Sequence, residues 1–308
     1  MTMTTSSFAK SLWPGVNKWY GMEYNEYQVQ FTEIFESNTS RRAFEEDVGQ
    51  SGVGLLSVKA EGAPITYDQG RQGFTSRYNH VTYASGIVIT REAVEDDLYD
   101  VVGKQKAKGL AFAVRQTKEV LGANVLNRAF STSYVGGDSS SLVASAGGGG
   151  SSTHANIAGG TWTNGPTAAV DLSESAIEQA VLDIADYTSD RGLKIALKPT
   201  KLIIPKELQW EASRILKGEY QVNSVERNIN VLKSMGSIPK IVVNNYLTDV
   251  DAWFVLTDSK DGLKYFSRRD DEFKTDEDFD TDNAKYKVSF RCSWGWTDAR
   301  CIWGSPGV

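Results

Sequence analysis

The residues able to do chemistry are few and far apart. Histidine occurs twice, as His80 and His154. A catalytic base or a metal ligand works from a rigid element that fixes its ring. His80 lies in a polar ribbon and His154 in a run of glycine and serine, so both are expected to be solvent-exposed polar residues. The two cysteines, Cys292 and Cys301, would face each other if "WGWTDAR" turned a hairpin about Trp296 and Thr297. In a reducing compartment they are expected to stay as thiols. Asp276, Asp278, Asp280 and Asp282 alternate like calcium ligands. The glycine of the sharp EF-hand turn and the distal glutamate are missing, so the run reads as a solvated acidic loop. Trp294, Trp296 and Trp303 are of the type that stacks on sugars, although aromatics in a β-rich stretch more often pack. Glycoside hydrolysis needs two carboxylates on the walls of a cleft, and the acids near residues 270–282 read as a loop. A G-x-S-x-G elbow, an H-E-x-x-H pair, a Walker A loop and a G-x-G-x-x-G after a strand are all absent from the sequence. The expectation is a chain with no catalytic residue, no metal site and no cofactor, which is not an enzyme.

The bulk properties bound the remaining classes. With 308 residues, 40% hydrophobic, the chain can bury a sizeable core in one large domain or two interlocked ones. Lys and Arg number 33 against 39 Asp and Glu, a net charge of -6 that does not suit a dedicated nucleic-acid binder. Lys198, Lys201, Lys206, Arg214 and Lys217 give one region a basic bias, read as surface charge or as partners for acids on another subunit. No apolar run approaches the roughly 18 residues of a membrane-spanning helix. The N-terminal stretch has neither an apolar signal core nor a positive leader, so synthesis in a reducing cytoplasm is expected.

The positioning elements follow from periodicity. Tyr24, Tyr27, Phe31 and Phe35 are spaced as one helical face within a first region, residues 1–50. Residues 51–90 form a polar, glycine-punctuated ribbon. Val81, Tyr83, Ile87 and Ile89 fall at odd positions and predict a strand. Gly62, Pro64, Gly70 and Gly73 mark the turn region that joins two long arms. Residues 91–130 read as one long helix capped by Thr90, with Glu92, Glu95, Asp96 and Asp97 in its first turns and an apolar stripe from Val94 and Leu98 to Leu121 and Val125. "GGDSSSLVASAGGGGSSTHANIAGG" reads as a flexible insert. Residues 171–257 predict an α/β unit. Its first helix carries an Asp171–Glu174 capping box and Gly192 as its stop. The strands "TKLIIP", "IPKIVVNN" and "DAWFVLT" and the helix "PKELQWEASRILKG" complete it. Residues 261–308 predict closing strands.

This order of parts resembles the major capsid proteins of tailed bacteriophages, with the Hong Kong 97-like fold. The resemblance rests on "EGAPITYDQGRQGFTSRYNHVTYASGIVIT" as the extended loop and on "REAVEDDLYDVVGKQKAKGLAFAVRQTKEVLGANVLNRAF" as the spine helix. "KPTKLIIPKELQWEASRIL" is similar to an axial-domain strand and helix, and "YKVSFRCSWGWTDARCIWGSPG" to the closing peripheral strands. It implies an α+β fold divided into an N-terminal arm (1–50), an extended β-hairpin loop (51–90), a peripheral domain with spine helix and insert (91–165), an axial domain (166–260) and peripheral closing strands (261–308). It further implies self-assembly into pentamers and hexamers of an icosahedral head, procapsid and then mature capsid, around double-stranded DNA touched non-specifically. The implied subunit contacts are Tyr67, Phe74, Tyr78 and Tyr83 of the loop and Trp13, Trp19 and Tyr20 of the arm. The implied partners are further copies of the chain, a portal, a separate scaffolding protein and a decoration protein, with no membrane. The location would be the virion, after assembly in the host bacterial cytoplasm. Lys59 lies near the base of the loop, but crosslinking to a residue such as Asn244 or Asn283 is not expected. Deleting residues 62–80 should spare the folded monomer but abolish shells. An encapsulin-like nanocompartment shell and a carbohydrate-binding or glycoside-hydrolysing protein are the alternatives.

Overall fold

The computed structural model describes residues 29–62, 64–90, 92, 104–221, 228–277 and 283–308. The described strands are β1 (Glu36–Thr39), β2 (Phe44–Gln50), β3 (Gln72–Asn79), β4 (Val81–Ile89), β5 (His154–Ala155), β6 (Thr161–Trp162), β7 (Pro199–Ile204), β8 (Lys240–Val243), β9 (Trp253–Thr257), β10 (Leu263–Glu277), β11 (Ala284–Trp296) and β12 (Ile302–Ser305). The helices are α1 (Lys104–Asn127), α2 (Glu174–Ala185), α3 (Gln209–Lys217) and α4 (Val231–Met235). They fall into two units. The first takes residues up to 44 with 79–122 and 265–293, and the second takes 45–78, 123–264 and 294–308.

In the first unit, the period-2 pattern of residues 81–89 does form a strand. β4 lies antiparallel to β11, from Ile89 opposite Ala284 to Val81 opposite Cys292, in a sheet ordered β1-β10-β11-β4. Tyr83 faces Phe290 in this register, and the rings stack at 5.4 Å. Ala107, Leu110, Ala111 and Val114 make the buried stripe of α1 at helical spacing. Ile89, Ala107 and Tyr286 share one apolar cluster. Lower on α1, Lys118 meets Asp271 at 2.7 Å with both side chains nearly buried. Glu119 receives the backbone N–H groups of Gln30 (2.8 Å) and Phe31 (3.1 Å), holding the single 3-10 turn Phe31–Glu33. Burial raises the Glu119 carboxyl above its ordinary range, against the lowering pull of those two bonds. Phe31 and Phe35 are buried as an apolar face requires, though the helix there is only that one turn before β1. Tyr24 and Tyr27 lie outside the described residues, as do 93–103 with Val94, Glu95, Asp96, Asp97 and Leu98.

The second unit contains an α/β sheet, and it extends beyond residues 171–257 to take in 45–78, 123–170 and 294–308. Its sheet runs β12-β9-β7-β8, with β7 and β8 parallel and the other pairs antiparallel. Helices α2, α3 and α4 contribute Ile177, Ile184, Ile215 and Leu232 to a core shared with Leu202, Ile204 and Val255. Trp253 and Trp303 lie at its centre, ring centroids 4.9 Å apart. Each indole N–H has an acceptor, Val170 O for Trp253 and Asp183 Oδ2 for Trp303, both at 3.1 Å. A buried tryptophan is tolerated where its one donor is met.

Three local expectations are corrected. The cap of α2 is Ser173, whose Oγ accepts the Ala176 N–H, while Asp171 accepts the N–H of Val308. The helix ends at Ala185, and Gly192 instead takes positive φ in a later turn closed by its N–H on Ser189 O. The chain does not fold back on itself through "WGWTDAR". After β11 it makes a 3-10 turn, Ala299–Cys301, and β12 pairs with β9, Ile302 opposite Leu256. Both cysteines are buried thiols that form no disulfide. Burial pushes the Cys301 thiol well up, which keeps it protonated and inert.

Replacing Trp303 by Ala should cost about 3–5 kcal/mol, as core aromatic truncations do, whereas Trp210→Ala, on an exposed side chain, should stay within about 0.5 kcal/mol. Urea unfolding of the unassembled subunit measures both.

Candidate interaction surface

The ribbon begins as paired strands, β2 with β3. Past Gln50 and Gln72 regular pairing stops, but the arms stay side by side. Ser51 N–H donates to Arg71 O (2.9 Å), Arg71 N–H to Ser51 Oγ (2.8 Å), Gly54 N–H to Asp68 Oδ2 (2.8 Å) and Ser57 Oγ to Thr66 Oγ1 (3.3 Å). Along these arms Val53, Leu55, Leu56, Val58, Ile65 and Tyr67 stand in solvent, Leu56 at 92% and Tyr67 at 83% of full exposure. Isolated exposed apolar residues are ordinary, whereas six on two short neighbouring arms are an apolar exposure of the kind that marks an interaction site.

Three devices hold the base of the ribbon. The first is polar. Lys264 Nζ lies 2.7 Å from both Asp47 Oδ2 and Asp261 Oδ1, Thr297 Oγ1 donates to Asp47 (2.8 Å), and Tyr78 OH meets Thr297 Oγ1 at 2.6 Å. Burial alone would lower the Lys264 ammonium, but Asp261 and Asp47 outweigh it and hold it above its ordinary value. Burial raises the Tyr78 phenol well out of the titrating range. The second device is steric. The Ile157 side chain sits so close over Gly49 and Gly73 that a Cβ at Gly73 would overlap it. The third is Arg191, whose guanidinium donates to Gly52 O (3.1 Å), Asp68 Oδ1 (2.9 Å) and Gln69 O (2.8 Å).

The insert read from composition as flexible is instead ordered and partly buried. Leu142, Val143 and Ala144 are fully buried, and β5 pairs with β6, His154 opposite Trp162. His154 is completely enclosed, its Nδ1 2.6 Å from Asp138 Oδ2 and its Nε2 3.2 Å from Asn164 Oδ1. Asn164 Oδ1 also accepts the Ala144 N–H, and its Nδ2 is within reach of the carbonyls of Leu142, Ala299 and Ile302. His80, also expected in solvent, is buried between Ser40 and Ser293 hydroxyls, each 3.0 Å from a ring nitrogen. Both histidines serve as structural hubs. Trp162 carries His154 stacked at 4.6 Å and the Arg300 guanidinium at 4.7 Å.

A cavity of about 520 Å³ opens beneath the ribbon, between Phe74, Ile157, Trp162 and Trp296. Each of its aspartates has a partner within the chain: Asp47 and Asp261 meet Lys264, Asp138 lies against His154 Nδ1, and Asp190 and Asp298 meet Arg300. Trp303 is buried in the core, so the three tryptophans do not form one sugar-stacking platform. Residues 270–277, read as a loop, continue strand β10, and Asp271 is engaged by Lys118. Asp278, Asp280 and Asp282 lie outside the described residues. Among the described residues no His, Cys, Asp or Glu cluster is arranged for a metal ion, and no helix is long and apolar enough to cross a membrane.

The expected contact residues are not equivalent in the structure. Tyr67 is exposed and Phe74 partly so. Tyr78 is buried against Thr297, and Tyr83 packs on Phe290. Trp13, Trp19 and Tyr20 lie outside the described residues. Lys59 is exposed, whereas Asn244 is buried with its Oδ1 accepting the Tyr246 N–H. Leu55, Leu56 and Val58 were missed, although "VGLLSV" beside glycines is an apolar run with nothing polar to give it one buried face.

The Asp68 carboxyl is held below its ordinary 3.8, first by the Gly54 N–H and then by Arg191. A depressed carboxyl stabilises the fold fully above its unfolded value and loses that contribution as pH falls through the folded one. Protection of the Gly54 amide, corrected for intrinsic exchange, should therefore be flat from neutral pH to about 4 and fall below it. Hydrogen exchange against pH checks this, and a loss of protection at mildly acidic pH would contradict it.

Comparison with known proteins places these features in context. The model of a family described as phage capsid protein matches residues 73–304. No curated protein is similar enough in sequence to be matched. Among solved structures, a chain from Microbacterium phage Oxtober96 is similar at 11% identity and a TM-score of 0.54, over 91% of each chain. The capsid of Myoviridae phage XM1 is similar at 10% identity and a TM-score of 0.52, over 91% of this chain and 92% of that one. The procapsid of bacteriophage JBD30 is similar at 12% identity and a TM-score of 0.51, over 98% of this chain and 76% of that one. At such identities the likeness is one of fold.

Proposed function

The chain belongs to the phage capsid protein family, and from that premise we propose how its parts build a shell. It is a structural protein, a major capsid protein of the tailed-phage type with the Hong Kong 97-like α+β fold, which forms the icosahedral head and resides in the virion. The encapsulin-like alternative has less support, because the matching family is a phage capsid family.

The observation that carries the assembly reading is the ribbon, which is held by its own chain only at the base and bare along its arms. Its occupant is a neighbouring copy. Burying an aliphatic or aromatic side chain contributes about 1.5–3 kcal/mol, so the six side chains together are comparable with the roughly 4–15 kcal/mol that association costs. One such contact is modest, and repetition around a closed shell makes the assembly stable. Tyr67 and Phe74 belong to this surface. Tyr78 and Tyr83 support it from within the subunit, and Trp13, Trp19 and Tyr20 make a second contact.

The subunits join as hexamers and pentamers, first in a procapsid, in the host bacterial cytoplasm. Scaffolding and portal proteins are separate chains, and a decoration protein binds the outer face. Residues 1–50 serve as the arm, 51–90 as the extended loop, 91–165 and 261–308 as the peripheral domain and 166–260 as the axial domain. The net charge of -6 suits loose, non-specific contact with packaged double-stranded DNA.

The deletion that tests this must respect β3, because Ser76 and Tyr78 are buried; removing 62–80 would damage the fold. Removing residues 53–67 should leave the unfolding transition of the subunit intact and abolish closed particles when the chain is co-expressed with its scaffolding protein. Electron microscopy showing closed particles of normal size from that deletion would overturn the assignment of the ribbon.

A further inference from the structure

We propose that Arg191 is the positioning residue that aims the ribbon at its neighbour, which rests on the reading of the ribbon as an assembly arm. Ladder pairing between the arms ends near Ser51 and Arg71. Just beyond that point one guanidinium takes over, reaching Gly52 O on the outgoing arm and Asp68 Oδ1 and Gln69 O on the returning one. Asp68 joins the two, since its other oxygen accepts the Gly54 N–H. The clamp thus spans both arms at the last point before the bare apolar stretch.

The turn that carries Arg191 is itself fixed. Ser189 Oγ accepts the N–H groups of Arg191 (3.3 Å) and Leu193 (3.2 Å), and Ser189 N–H donates to Leu193 O (2.7 Å). Gly192 supplies the positive φ that the turn requires. On the opposite side the buried Arg300 guanidinium donates to Thr188 O (2.8 Å) and Asp190 Oδ1 (3.1 Å) while lying against Trp162. Arg300 therefore pins the turn to the α/β body, and Arg191 pins the ribbon to the turn. Beyond the paired strands, this side chain ties both arms to that body.

The chemistry calls for arginine. A planar fork with separate Nε and Nη donors reaches three acceptors on two arms at once, whereas a lysine ammonium is a point charge on a flexible stem. Arg191→Lys keeps the charge and the Asp68 attraction but loses the spanning geometry. It should behave like Arg191→Ala in assembly, as a purely electrostatic role would not.

The experiment compares the wild type, Arg191→Ala, Arg191→Lys, Asp68→Asn and the 53–67 deletion, each co-expressed with the scaffolding protein. The readouts are the unfolding midpoint of the unassembled subunit and the yield and diameter of particles. The three substitutions should leave the midpoint near its wild-type value, because the Arg191–Asp68 pair lies at the surface, at 23% and 37% side-chain exposure, outside the apolar core. They should lose closed particles of wild-type diameter to open sheets, tubes or mixed sizes. Wild-type yield and diameter from Arg191→Ala and Arg191→Lys would overturn the positioning role. If Arg191→Ala lowers the midpoint, Asp68→Asn decides: normal particles from it also overturn the proposal. The deletion separates the two levels. If it still forms closed particles, the ribbon reading fails; if it forms none while the arginine variants assemble normally, only the clamp does.

Discussion

Arg300 is a positive charge taken almost wholly out of water, and much of the α/β unit is arranged around answering it. Its guanidinium meets Asp298, Asp190, Asn156 Oδ1 and Thr188 O, and lies on the face of Trp162. An isolated buried cation is very costly, and removing one partner of a buried pair typically costs about 3–5 kcal/mol. Satisfying this one draws together segments far apart in sequence: the β5–β6 turn, the 188–190 turn and the approach to β12. The Trp162 ring that shields the guanidinium also rests on His154, and His154 leads through Asn164 to the backbone of residues 142, 299 and 302. One charge and one amide thereby organise a region that has little apolar bulk of its own.

The body and the ribbon are built on opposite principles. The body meets many of its polar groups internally: the Trp253 and Trp303 donors find acceptors, and Asp190 and Asp298 meet Arg300. The ribbon satisfies its polar groups at the base and leaves its apolar ones open along the arms. This asymmetry separates a body packed on its own side chains from a segment whose apolar residues face solvent.

What could be read from sequence follows the range of the interactions involved. Strand β4 and helix α2 were legible because Val81 to Ile89 and Ile177 to Ile184 carry local periodicity, which burial follows at Ile177, Ala180 and Ile184 and, in β4, at Tyr83, Ile87 and Ile89 but not at the exposed Val81. The ribbon was legible from its lack of a core pattern. The Gly/Ser insert was not, because its order comes from Asn164 reaching carbonyls more than a hundred positions away, and hydrogen-bond partners leave no periodic trace. The same holds for His154, a polar residue in a polar segment whose burial depends on Asp138 and Trp162. The supposed hairpin after Trp296 failed for a related reason: pairing with β9 wins over a local return, and nothing near Cys301 announces β9 as its partner.

The glycines of that insert carry one further consequence. A side chain at Gly137 would collide with Thr75 O, one at Gly147 with the backbone of Ala168, and one at Gly150 with Phe130 O. Every single-base change that replaces a glycine either adds a Cβ or stops the chain. The stretch that looks most like filler is therefore among the least free to drift. In a set of related genomes it should be a place of sequence constancy, and methods that mask low-complexity segments before comparing phages would discard one of the more informative parts of this gene.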